Sequence, residues 1–132
     1  MRHTLLEASK YTGALIAGLS TFLWGKPDVW LYALFAFISL DYVSSLIAAA
    51  ICANNSGKIG LRGITKKILS FILVAVAHIL DIILGLNGTL RSVVIGFLIS
   101  NEGISILTNC TKCGVPIPDK IVKILNQLKD QH

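Results

Sequence analysis

Apolar residues run along this chain in four long blocks, at about residues 5–24, 29–53, 68–86 and 92–109, with short polar breaks between them. None of the blocks alternates with the period of two that marks a half-buried strand. Stretches near twenty residues match the ~30 Å of a bilayer's hydrocarbon at ~1.5 Å per helical residue. They predict an all-α integral membrane protein with about four transmembrane helices, folded as a single domain over residues 1–132. The first block is the weakest, because Glu7 and Lys10 leave only ~14 clean residues, about 21 Å of helix. GKPD, from Gly25 to Asp28, follows it with a proline and two charges, and NGTLR, from Asn87 to Arg91, is a second turn signal.

After the last block the pattern changes. PDKIVKILNQLKDQH, residues 118–132, sets Ile121, Ile124, Leu125 and Leu128 at helical i, i+3, i+4, i+7 spacing, with Lys120, Lys123 and Lys129 on the polar side. Asp119 suits the positive end of such a helix. This predicts a C-terminal amphipathic helix lying on the membrane interface. Binding to a partner, or to itself, would use the same stripe.

Composition agrees with a bilayer as solvent. Hydrophobic residues make up 54% of the chain and charged ones 14%, against about 25% in soluble domains, and the mean hydropathy is +0.72. Twelve Lys and Arg against seven Asp and Glu give a formal charge of +5. In such a chain a basic surplus sets orientation or touches anionic lipid, and no aromatic-plus-basic stripe argues for nucleic acid. The link NNSGKIGLRGITKK carries Lys58, Arg62, Lys66 and Lys67 with no acid, which predicts a basic cytoplasmic loop. Four spans then put Arg2 and Lys10 at the N-terminus, and Lys112, Lys120, Lys123 and Lys129 at the C-terminus, on the same cytoplasmic side. Three spans would put the N-terminus outside, against its own charge. The start resembles a signal peptide in being basic and then apolar, but no A-x-A site follows and further blocks come after it, so it is expected to be retained.

Small residues recur four apart at Gly13 and Ala17, Ala14 and Gly18, Ser44 and Ala48, Ser45 and Ala49, and Gly96 and Ser100, a spacing that lets helix backbones approach closely in lipid. They predict a tight bundle or a homo-oligomer.

The chemistry lies in the polar residues that interrupt the blocks. Asp41 is followed a turn later by Ser44 and Ser45, AVAHILDIILG holds His78 and Asp81, and LISNEGISIL holds Asn101, Glu102 and Ser105. An ionisable group in hydrocarbon costs on the order of 2.5–3.5 kcal/mol on insertion scales, so it is expected to face protein or water. One reading is interhelical glue, with His78 bonded to Asp81 or Glu102. A second is a polar stripe that lines a pore when subunits assemble, and a third is a proton relay in a transporter or ion-channel subunit. Catalysis is disfavoured, since no Ser or Cys nucleophile stands near His78 and Asp81 in sequence. Cys110 and Cys113 form CTKC, but no second ligand pair and no βαβ pattern accompany it, so no metal and no cofactor is expected.

The order SLDYVSSLIAA, then RGITKKI and VAHILDIIL, then NEGISILTNCTKCGVPIPDKI resembles the toxin-secretion and phage-lysis holin family of Gram-positive bacteria and their phages. The resemblance covers roughly Asp41 to Leu128 and is most specific from Asn101 to Pro118. Asp41, Gly63, Lys66, Lys67, Asp81, Glu102, Ser105, Asn109, Gly114 and Pro116 match the family pattern. It implies a non-enzymatic protein of the bacterial cytoplasmic membrane that oligomerises and permeabilises that membrane at a timed moment. An endolysin or a large toxin then leaves through the hole, without direct contact being required.

Overall fold

The computed structural model describes residues 1–52 and 61–130, and every regular element among them is helical. The elements are α1 (Arg2–Trp24), α2 (Val29–Ile47) running on into a π-helical turn (Ala48–Cys52), α3 (Leu61–Leu84), α4 (Thr89–Lys112) and α5 (Asp119–Asp130). Three stretches of the described residues are long and apolar enough to cross a membrane: Val29–Ile51, Gly63–Leu84 and Thr89–Lys112. α1 is a helix of 23 residues, but Glu7 and Lys10 lie in its first half and it does not join that set.

Local chemistry fixes the helix ends. α1 stops at Gly25, whose φ of 81° is open to glycine and whose N–H donates to the Thr21 carbonyl at 2.8 Å. Asp28 then starts α2 by accepting the Leu31 N–H at 2.9 Å. Between α3 and α4 the chain turns through three left-handed residues, Gly85, Asn87 and Gly88. α4 ends at another, Gly114, and Pro116 and Pro118 prevent the helix from resuming.

α4 is the centre of the bundle and packs on α2, α3 and α5, while α1 touches α3. Leu34 and Ile38 of α2, Val74 of α3, and Ile95, Leu98 and Ile99 of α4 form one buried apolar cluster. Their spacing of three and four residues puts each set on a single helix face. The rest of the surface is unusually apolar, with Phe35, Leu46, Ile72, Val76 and Ile83 all exposed, as suits helices whose outer faces meet acyl chains. α1 buries no residue, and Gly13 and Gly18 have open space around them. It is tied at its far end, where the Trp24 indole N–H donates to the Phe71 carbonyl at 2.9 Å. Gly96 and Ser100, by contrast, are buried in α4.

Two expectations change. The basic loop expected at 54–67 is partly helix: α3 begins at Leu61, so Arg62, Lys66 and Lys67 belong to it, while Lys58 lies outside the described residues. The amphipathic segment forms α5 and folds back along α4. Leu125 fits over Gly103, where a Cβ would meet its Cδ2 at 2.9 Å, and the Lys129 ammonium lies 5.9 Å from the Phe97 ring centroid. The two helices therefore run antiparallel.

Candidate functional site

Polar side chains of the three spans gather in two clusters. The first is built on Lys67, whose Nζ stands 3.0 Å from Asp41 Oδ2 and 3.0 Å from Glu102 Oε2, joining α3 to both α2 and α4. The three side chains are 9–20% exposed. Asn109, two turns beyond Glu102 on the same face of α4, donates from Nδ2 to Ser44 Oγ and Ser45 Oγ, both at 2.9 Å, and to Asp41 Oδ1 at 3.3 Å. Ser44 also donates to the Asp41 carbonyl, and Ser45 reaches Asp41 Oδ1 at 3.5 Å. Asn101 and Ser105 line the same open cleft of about 490 Å3, Asn101 exposed and Ser105 half-buried. Two carboxyls thus share one ammonium where water is scarce, which is tolerable because each is also paired or hydrogen-bonded.

The second cluster holds the other end of the bundle. Arg91 donates from Nε to the Trp24 carbonyl at 2.7 Å, and its two terminal nitrogens grip the two oxygens of Asp28 at 2.7 and 3.2 Å. Such a fork-to-fork pair is stronger and more directional than a point contact. Asp81 faces another way: its oxygens accept the backbone N–H groups of Leu90 and Arg91 at 2.9 and 2.8 Å, so a residue of α3 caps the start of α4. His78 lies against Gly25, where a Cβ would sit 3.0 Å from its ring, and its Nδ1 is buried without a hydrogen-bond partner. His78 and Asp81, neighbours in sequence, are not bonded to each other. Lys67 precedes Asp81 by 14 residues, about 21 Å of helix. Leu34, Val74 and Ile95, fully buried, fill the space between the clusters.

The Arg91 fork holds the Asp28 carboxyl below its ordinary value of 3.8, against the opposing effect of partial burial. A depressed folded-state value stabilises the fold above the unfolded value, and that contribution disappears as pH falls through the folded one. Acidification below about pH 4 is therefore expected to loosen the α1–α2 corner, seen as a change in Trp24 fluorescence. Asp28→Asn should remove that acid-dependent step; a variant titrating like the parent would assign it elsewhere.

Of the residues singled out by sequence, Asp41, Ser44, Ser45, Glu102 and Lys67 meet in one cluster, with Asn101 and Ser105 at its edge. His78 and Asp81 belong to the other, and Lys66 is exposed. Sequence reasoning passed over Arg91, Asp28 and the bridging part of Asn109. The signals were present: Asp28 precedes an apolar run, as helix caps do, and Arg91 is a base in a turn expected to face outward, against the usual charge bias. Cys110 is a free thiol, so CTKC is not closed on itself, and no group of three His, Cys, Asp or Glu side chains among the described residues could hold a metal.

The sequence pattern of the bacteriophage holin family matches residues 18–130. An uncharacterised 14.9 kDa protein of Clostridium perfringens is 44% identical over 115 residues, 86% of each chain. An uncharacterised Listeria monocytogenes protein is 41% identical over 104 residues, 79% of this chain and 74% of its own. A probable holin of Bacillus phage phi105 is 33% identical over 93 residues, 70% of this chain and 69% of its own. No solved structure matches the chain. The family pattern runs from the second half of α1 into the end of α5 and takes in both polar clusters, so the chain belongs to the bacteriophage holin family.

Proposed function

We propose that this protein permeabilises the bacterial cytoplasmic membrane by assembling several copies into a hole through which an endolysin or a large toxin leaves. The family match over residues 18–130 carries the reading. The packing supports assembly, because the centre of one protomer is filled by Leu34, Ile38, Val74, Ile95, Leu98 and Ile99, and so one copy encloses no passage. α1 serves as a fourth crossing through residues 11–24, about 21 Å of apolar helix, with Glu7 and Lys10 left at the membrane surface and both termini in the cytoplasm. Arg2, Lys10, Lys66 and Lys112 then share the cytoplasmic side, and the outer base Arg91 is neutralised by Asp28. No step of this activity calls for catalysis.

In the lone chain the acids of the spans are satisfied by Lys67, Asn109 and backbone N–H groups, so the three spans can accumulate in lipid without turning an unpaired acid to it. A proton relay is less well supported, since His78 has no hydrogen bond to an acid and lies 11 residues, about 16 Å of helix, from Lys67. The test is release from liposomes loaded with dextrans of graded size. The full-length protein is expected to release large dextrans above a threshold protein-to-lipid ratio. Proton or ion flux with every dextran retained would overturn the proposal in favour of a transporter.

A further inference from the structure

The antiparallel seat of α5 on α4 poses a problem of depth. Leu125 sits level with Gly103, nine residues and about 14 Å of helix from the end of α4 at Lys112. Lys129 reaches the level of Phe97, fifteen residues or about 22 Å from that end. By the same rise Lys120 and Lys123 lie about 6 and 10 Å from that end and Gln127 about 17 Å, so it is the second half of α5, with Gln127 and the exposed Lys129, that lies well inside the thickness that α4 crosses. At 100° per residue, Lys120, Lys123 and Gln127 fall on the arc opposite Leu125, pointing straight away from α4, and all three are exposed. Lysine among acyl chains is among the most costly side chains in a membrane. A docked α5 therefore needs water in front of it.

The other polar side chains of the spans leave that need unanswered. Asp41 and Glu102 are engaged with Lys67, and Asp81 is engaged with the first turn of α4. Resting on the permeabilising reading above, we infer that α5 is the element that lines the hole, docked on α4 through the Gly103 notch. Its Lys120, Lys123 and Gln127 face the water enclosed by several copies. Before assembly the same helix lies at the cytoplasmic interface, where its basic face reaches water and headgroups. Docking exchanges one aqueous contact for another, and only assembly provides the second. Gly103 is the permissive residue, because any side chain there meets Leu125.

Planar-bilayer recording with the full-length protein tests this. The wild type is expected to conduct with a preference for anions, and the Lys120→Glu, Lys123→Glu double variant with a preference for cations, read as a reversed sign of the reversal potential in a salt gradient. Gly103→Val is expected to reduce the conducting fraction about tenfold or more, the effect of overpacking a fitted contact. Adding Leu125→Ala, which removes the three atoms nearest position 103, should recover most of it. A conducting wild type whose selectivity ignores the lysine reversal, or a Gly103→Val defect that Leu125→Ala does not relieve, overturns the lining role of α5 and leaves the permeabilising reading in place. A wild type that passes no current overturns both.

Discussion

Lys67→Met is expected to destabilise the folded bundle by about 3–5 kcal/mol, the usual consequence of removing one partner from a buried ion pair. Asp41 and Glu102 would then face each other across the cleft with no cation between them, while the methionine supplies comparable volume. The measurement is unfolding of the full chain in bicelles, compared with a triple variant that also carries Asp41→Asn and Glu102→Gln. The triple variant should recover most of the loss, because replacing all the partners together removes the uncompensated charge. If Lys67→Met alone matches the parent, the ion pairs do not hold the three spans together.

Arg91→Leu is expected to cost roughly 2–3 kcal/mol, the scale of a hydrogen bond to a charged group left unmade. The variant strips the Trp24 carbonyl and both oxygens of Asp28 of their shared donor. It should act selectively. The start of α4 is capped through the backbone N–H of residue 91 and so survives the change. Amide exchange should accelerate around Gly25 and at the end of α1 while residues 90–95 stay protected. Uniform acceleration through α4 would show that the guanidinium organises the turn itself, and not the attachment of α1.

The long periodic features of this protein were legible in its sequence. Blocks 29–53, 68–86 and 92–109 reappear as the three helices fit to cross a membrane, because a run of twenty apolar residues has few other solutions in lipid. Clusters were harder to read. Asp41, Ser44 and Ser45 share a face by spacing alone, but that Lys67 would turn inward to meet them depends on α2 and α3 both packing on α4, and loop charge and core counter-ion look alike on paper. His78 and Asp81 looked like a pair because they are three apart. They diverge because the N–H groups of Leu90 and Arg91 are oriented donors that satisfy both oxygens of Asp81. The amphipathic stripe of α5 was plain, and its partner was not, since a single glycine opposite a leucine leaves no periodic trace.

α1 is fastened at one end only, where Trp24 and Arg91 hold its last turn, and no side chain along its remaining length is buried against the bundle. As the fourth crossing proposed above, a rod pivoted at one corner takes its tilt from the bilayer and not from the protein. With only about 21 Å of uninterrupted apolar helix, it stands upright in a thick membrane and leans only where the lipid is thin. The angle between α1 and the other helices, and with it the width of the wedge a neighbouring chain would enter, is thereby set by the thickness of the lipid around it.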